Sequence, residues 1–132
     1  MVIRLGHICL GTSNLDKTIS FYTRFCDGEI VHKFENHLRE TYGVMLRIGE
    51  SSTFIELFND QELRASSEKG SFRHLNFQVK DIFAVQKKLI EEGFTCPISR
   101  GRTDSILQCW CEDPEGNQIE FSQYDEQAEY RF

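Results

Sequence analysis

The sequence is short of the residues and patterns that mark several broad protein classes. Only two prolines and one tryptophan occur in 132 residues, which excludes collagen-like and proline-rich extended chains. No run of about 18 apolar residues and no basic-then-apolar leader is present, so neither a membrane span nor an export signal is expected. The five cysteines are an odd number without disulfide-framework spacing. They suit a reducing compartment, and the cytoplasm is the expected location. Cations are outnumbered, with 15 Lys and Arg against 21 Asp and Glu. A net charge of −6 disfavours nucleic acid as a partner, since backbone binding needs clustered Lys and Arg. What is present, 39% hydrophobic and 27% charged residues, is the composition of one ordinary domain large enough to bury a core.

The chain repeats itself. LGHICLGTSNLDKTISFYTRFCDG, from Leu5, opens as a strand, passes a polar turn and becomes helical before Gly28. FRHLNFQVKDIFAVQKKLIEEG, from Phe72, does the same and ends at Gly93. Leu15, Ile19 and Tyr22 form one helical stripe, with Thr18, Phe21 and Phe25 beside it; Ile82, Val85 and Leu89 form the other. Ser13 or Asn14 and then Asp81 are the expected N-caps, with Gly28 and Gly93 as the stops. Strand character follows at 29–35, 40–48 and 52–58, and again at 94–99, 106–112 and 117–123. The polar stretch 59–71 reads as a surface linker. The expected fold is α+β, a single domain 1–132 of two β-α-β-β-β modules. The first covers 1–60 and the second 72–132, with the linker at 61–71 between them.

His7 and His74 take the same place in the two copies, and the tetrads IELF and IEFS place Glu56 and Glu120 alike. Strand alternation puts all four opposite the apolar residues that the helices must cover: Ile8 and Leu10, Ile55 and Leu57, Leu75 and Phe77, Ile119 and Phe121. One His or Glu on a strand is ordinarily surface; recurrence of both types at both places singles out this set. Carboxylates half-buried among aromatic residues need a compensating charge, and two Glu with two imidazoles suit one divalent metal. Nickel and zinc head the candidates, followed by cobalt, manganese and iron. Cys9 and Asn76 lie beside the His residues as candidate substrate contacts. Arg100 and Arg102, in the SRGRTD loop, are candidates for an anionic substrate. His32 and His37 read as solvated.

At these residues the chain resembles the vicinal oxygen chelate superfamily, and within it glyoxalase I (lactoylglutathione lyase). The resemblance spans nearly the whole sequence. It rests on GHICL with SNLDKTISFY, on FIEL, on RHLNFQV, and most specifically on EDPEGNQIEF. It implies paired modules forming a cupped, partly open barrel around a metal held by His7, Glu56, His74 and Glu120. A homodimer is expected, with the modules paired within one chain or across two. It further implies a lyase that converts the hemithioacetal of a methylglyoxal-type 2-oxoaldehyde into a 2-hydroxyacyl thioester. There Glu120, or its counterpart Glu56, would move the proton through a metal-bound enediolate. The glyoxalase I pattern has Arg where this chain has Gly11, and Asn where it has Asp60, so the thiol is glutathione or another. Three further readings share the site. An extradiol-type dioxygenase would use His7, His74 and Glu120; an acyl-thioester epimerase would use the same metal; a binding or resistance module would have no turnover.

Overall fold

Two short helices begin where side-chain acceptors stop the extended backbone. Asn14 and Asp81 both sit in extended conformation; Asn14 Oδ1 accepts from Lys17 N–H at 3.0 Å, and Asp81 Oδ1 accepts from Phe83 and Ala84 N–H at 3.0 Å. Such caps satisfy amides that have no intrahelical partner. In this computed structural model, which describes residues 1, 5–60, 72, 74–102 and 104–128, helix α1 spans Leu15–Phe25 and α2 spans Ile82–Glu91. The α1 stripe buries Leu15, Thr18, Phe21 and Tyr22; Ile19, expected at its centre, is only half-buried. Gly93, at φ 91°, ends α2 as expected. Gly28 has a different role. Asp27 makes the left-handed turn after α1 at φ 50°, and Gly28 opens the next strand against the helix. A Cβ there would lie 2.8 Å from the Tyr22 carbonyl oxygen, which is why glycine is required.

The chain divides into two compact units, Met1–Glu68 and Lys69–Phe132. The first holds β1 (His7–Thr12), α1, β2 (Gly28–Glu35), β3 (Thr41–Ile48) and β4 (Phe54–Asn59). The second holds β5 (Leu75–Gln78), α2, β6 (Ser99–Arg100), β7 (Leu107–Glu112) and β8 (Gln118–Gln123). Each unit is therefore one β-α-β-β-β module, and the expected linker at 61–71 lies outside the described residues. The sheets have the same topology, β1-β4-β3-β2 and β5-β8-β7-β6, with the first strand parallel to the last and the other pairs antiparallel. Among the described residues no helix is long and apolar enough to cross a membrane.

The strand expected at 94–99 shrinks to two residues. Phe94 N–H returns to the Leu89 carbonyl at 3.0 Å, and the Cys96 carbonyl accepts from Gln86 Nε2 at 2.9 Å. Pro97 has no N–H to offer a ladder. Helix-facing side chains form each core: Val44, Leu46, Ile55 and Leu57 in the first unit, and Leu75, Cys109, Cys111, Ile119 and Phe121 in the second. The DPEGN turn before β8 is built on Asp113, whose Oδ1 accepts from Glu115 and Asn117 N–H at 2.9 Å while Oδ2 accepts from Asn117 Nδ2 at 2.9 Å. Gly116 supplies the required positive φ of 82°.

Two outcomes follow from this packing. Asp81→Ala removes the acceptor for two amides and is expected to cost about 1 kcal/mol, read as a lower urea midpoint. Burial, reinforced by the neighbouring thiols, pushes Cys109 up from 9.0 to about 11 and Cys111 up to about 12. A thiol whose ionisation is harder in the folded state stabilises fully below its unfolded pKa and loses that contribution as pH rises toward the folded one. Stability should therefore decline from pH 9 upward, and the decline should be shallower in Cys111→Ala, as urea titrations at stepped pH would show.

Candidate functional site

In the first unit the parallel β1–β4 register sets Cys9 opposite Glu56, with His7 two residues earlier on the same face. Ile55 and Leu57 are 4% and 0% exposed on the helix side, so Glu56 must face the other way. Met45 is its neighbour across β3. His7 Nε2 lies 3.9 Å from Glu56 Oε1, with the imidazole half exposed and the carboxylate 14% exposed. The pair is thus close without being hydrogen-bonded. The Cys9 thiol is held above its ordinary pKa by partial burial, by hydrogen bonding to Glu56 and by that carboxylate's charge.

The second unit repeats the arrangement. Asn76 on β5 is opposite Glu120 on β8, His74 again precedes it by two residues, and Trp110 on β7 is the neighbour on the far side. His74 Nε2 approaches Glu120 Oε2 to 3.1 Å, with exposures of 37% and 14%. The imidazole also meets the Trp110 ring edge-on, at 4.9 Å between centroids and 78° between planes. Asn76 Oδ1 accepts from Ser122 Oγ at 3.1 Å, which holds the amide at the sheet surface.

The structure therefore brings together His7 with Glu56 and His74 with Glu120, each within its own unit and at the same register. Neither unit by itself gathers three His, Cys, Asp or Glu side chains as a metal-binding group among the described residues. Cys9 and Asn76 occupy equivalent places beside the two carboxylates. Arg100 is engaged elsewhere: its Nη atoms donate to Asp125 Oδ1 and Oδ2 at 3.2 and 2.6 Å, and Nη1 also donates to the Ser105 carbonyl at 2.7 Å. The Asp125 hydrogen bond holds its pKa above the ordinary arginine value. Arg102 is exposed in the following loop. Two site neighbours, Met45 and Trp110, escaped the sequence reading. Trp110 was detectable, since it lies between Cys109 and Cys111 and must face opposite to them.

A family model described as the Glyoxalase/Bleomycin resistance protein/Dioxygenase superfamily matches residues 4–121. The chain belongs to this superfamily. The expected vicinal oxygen chelate resemblance is thereby shown, and superfamily members typically bind a divalent metal. Among solved structures, a glyoxalase family protein from Enterococcus faecalis is similar at 22% identity and a TM-score of 0.70, over 90% of this chain and 96% of that one. A lactoylglutathione lyase from Agrobacterium tumefaciens is similar at 17% identity and 0.66, over 91% and 92%. A fosfomycin resistance protein from Listeria monocytogenes is similar at 15% identity and 0.72, over 96% and 98%. At these identities the three likenesses establish the superfamily fold. Gly11 and Asp60, where the chain departs from the glyoxalase I pattern, lie near one another: Gly11 pairs with Phe58, and Asp60 N–H donates to the Thr12 carbonyl at 2.7 Å.

Cys9 is the exposed thiol of the five, and Cys26, Cys96, Cys109 and Cys111 are buried. In native protein a disulfide reagent should therefore modify Cys9 first. The other four should react only on unfolding, as peptide mass mapping with a Cys9→Ser control would check.

Proposed function

We propose that this superfamily member is a metal-dependent lyase of the glyoxalase I type. Its reaction is isomerisation of the hemithioacetal of a 2-oxoaldehyde, methylglyoxal in type, to a 2-hydroxyacyl thioester. The observation that supports this most is the repetition of one His–Glu pair at one register in both modules. His7, Glu56, His74 and Glu120 would hold one divalent cation, nickel or zinc first and cobalt, manganese or iron next. The donor chemistry fits, because two imidazoles and two shielded carboxylates are the mixed N and O set such ions accept. Each module supplies half of that set, so the complete one needs two modules, from one chain or from two copies in a homodimer. Bound there, the cation supplies Lewis acidity toward vicinal substrate oxygens.

The chain's own residues carry the proton. One carboxylate, Glu120 or Glu56, takes it from the carbon bearing hydroxyl and sulfur and returns it to the adjacent carbonyl carbon, while the hydroxyl proton passes to the former carbonyl oxygen, so that no atom is gained or lost. Cys9 and Asn76, beside the two carboxylates, are placed to contact the substrate, and Asn76 is held there by Ser122. A dioxygenase using only His7, His74 and Glu120 would leave Glu56 without a task, although it has the same register as Glu120. Glutathione and other thiols remain the candidate cosubstrates.

The test is metal content, followed by turnover. Purified protein should carry or take up about one divalent ion per four-donor site, and both Glu56→Gln and Glu120→Gln should weaken uptake by tenfold or more. Nickel or cobalt bound at His74 should also quench Trp110 fluorescence, and His74→Ala should abolish the quenching. Protein that refuses all five metals would sink the proposal.

A further inference from the structure

The face that carries Glu56 continues, one rung further along β4, into a set of aromatic rings that the core does not use. Phe58 follows Glu56 on the same side, about 7 Å away by strand geometry. Its rung reads Gly11–Phe58–Gly43–Phe34 across β1, β4, β3 and β2. The glycines on either side put no side chain against Phe58, which is half-buried. At Gly43 the clearance is required, because a Cβ would come within 2.7 Å of Phe58 Cε1 and 2.8 Å of the Leu57 carbonyl oxygen. Phe34 packs at 5.1 Å from Phe58, and His32 stands edge-on to Phe34 at 4.8 Å.

Tyr42 joins by a backbone irregularity. Pairing runs from Phe34 with Gly43 to Glu35 with Thr41 and skips Tyr42. A bulge of this kind re-aims a side chain. The Tyr42 ring comes to lie parallel to that of Phe58, 5.8 Å apart and 11° between planes, while remaining 45% exposed. A groove of about 500 Å³ opens beside it, lined by Phe34 and Tyr42 and by the polar residues from His32 to Arg39, among which Arg39 is paired with Glu35 at 3.2 Å. With Arg39 engaged by Glu35, the distinctive surface of the groove is the pair of rings, which suits a flat aromatic group.

The second module shows that the fold does not demand these rings. The matching rung there is Gln78–Ser122–Gln108–Ser99, polar at every position. The two modules agree in the placing of their His–Glu pairs, yet the rungs beyond the glutamates differ completely in chemistry. The core cannot be the reason either, since Val44, Leu46 and Leu57 fill it at 0% exposure from the opposite face.

We infer that Phe58, Tyr42 and Phe34 form a recognition subsite for a planar aromatic group, so that the substrate is an aryl-substituted 2-oxoacyl or 2-hydroxyacyl compound rather than a methyl one. The inference rests on the proposed lyase reading for the position of the reacting carbons. A ring attached directly to those carbons spans most of the distance from Glu56 to Phe58.

The test uses two unreactive probes, mandelate and lactate, titrated calorimetrically into the full-length protein, beside turnover of phenylglyoxal and methylglyoxal hemithioacetals. Mandelate should bind roughly tenfold more tightly than lactate. Phe58→Leu and the exposed-site variant Tyr42→Leu should each remove most of that preference, leaving lactate binding and the circular dichroism spectrum unchanged. Equal binding of the two acids, binding of neither, or a preference that survives both variants would overturn the subsite. Ring selectivity without turnover of either hemithioacetal would retire the lyase reading alone. Equal turnover of both with equal binding would retire the aromatic subsite alone.

Discussion

Each module depends on the parallel pairing of its first strand with its last. That pairing is the only reason His7 meets Glu56 and His74 meets Glu120, residues separated by 49 and 46 positions. It also decides the face. Ile55 and Leu57, and Ile119 and Phe121, are driven under the helices by burial, and the intervening glutamate is turned outward by the two-residue period. A slip of one residue would send the carboxylate into the core and two large apolar groups into water. Hydrophobic burial thus orients a charged group without touching it.

Much of this was legible in advance. Two periodic stripes, two capping residues and two turn-rich breaks were enough to place α1, α2 and most strands, and the repeat of His and Glu pointed to the pairs. The site neighbours were harder to see. Alternation says which face a side chain occupies, while its neighbours depend on which strands pair and in what register. Met45 and Trp110 became neighbours of the site only through β3–β4 and β7–β8 pairing. The shortening of β6 had a local cause that composition hides, since the backbone of 94–97 bonds to α2 instead of to a strand. Gly28 was read as a helix stop because glycine often is one; its actual constraint is the closeness of the Tyr22 carbonyl.

The sequence motif with the most family character, EDPEGNQIEF, carries two separate tasks. Asp113 and Gly116 shape the turn, through hydrogen bonds and a positive φ. Glu120 belongs to the site. The turn leads β8 into the register that turns Glu120 away from the buried Ile119 and Phe121, so the larger part of the motif is architectural. The two modules show the same division of labour: they share the frame and the His–Glu pair, and they differ where the frame imposes nothing.

The first-with-last pairing also governs when each half-site can exist. A growing chain reaches the first His early, yet cannot set it beside its carboxylate until the closing strand of the module has been made. Closing so long a loop costs entropy that only the finished sheet repays, which makes it a late event in folding. The first module becomes complete while the second is still emerging from the ribosome. Neither module sets its histidine beside its carboxylate before it has folded.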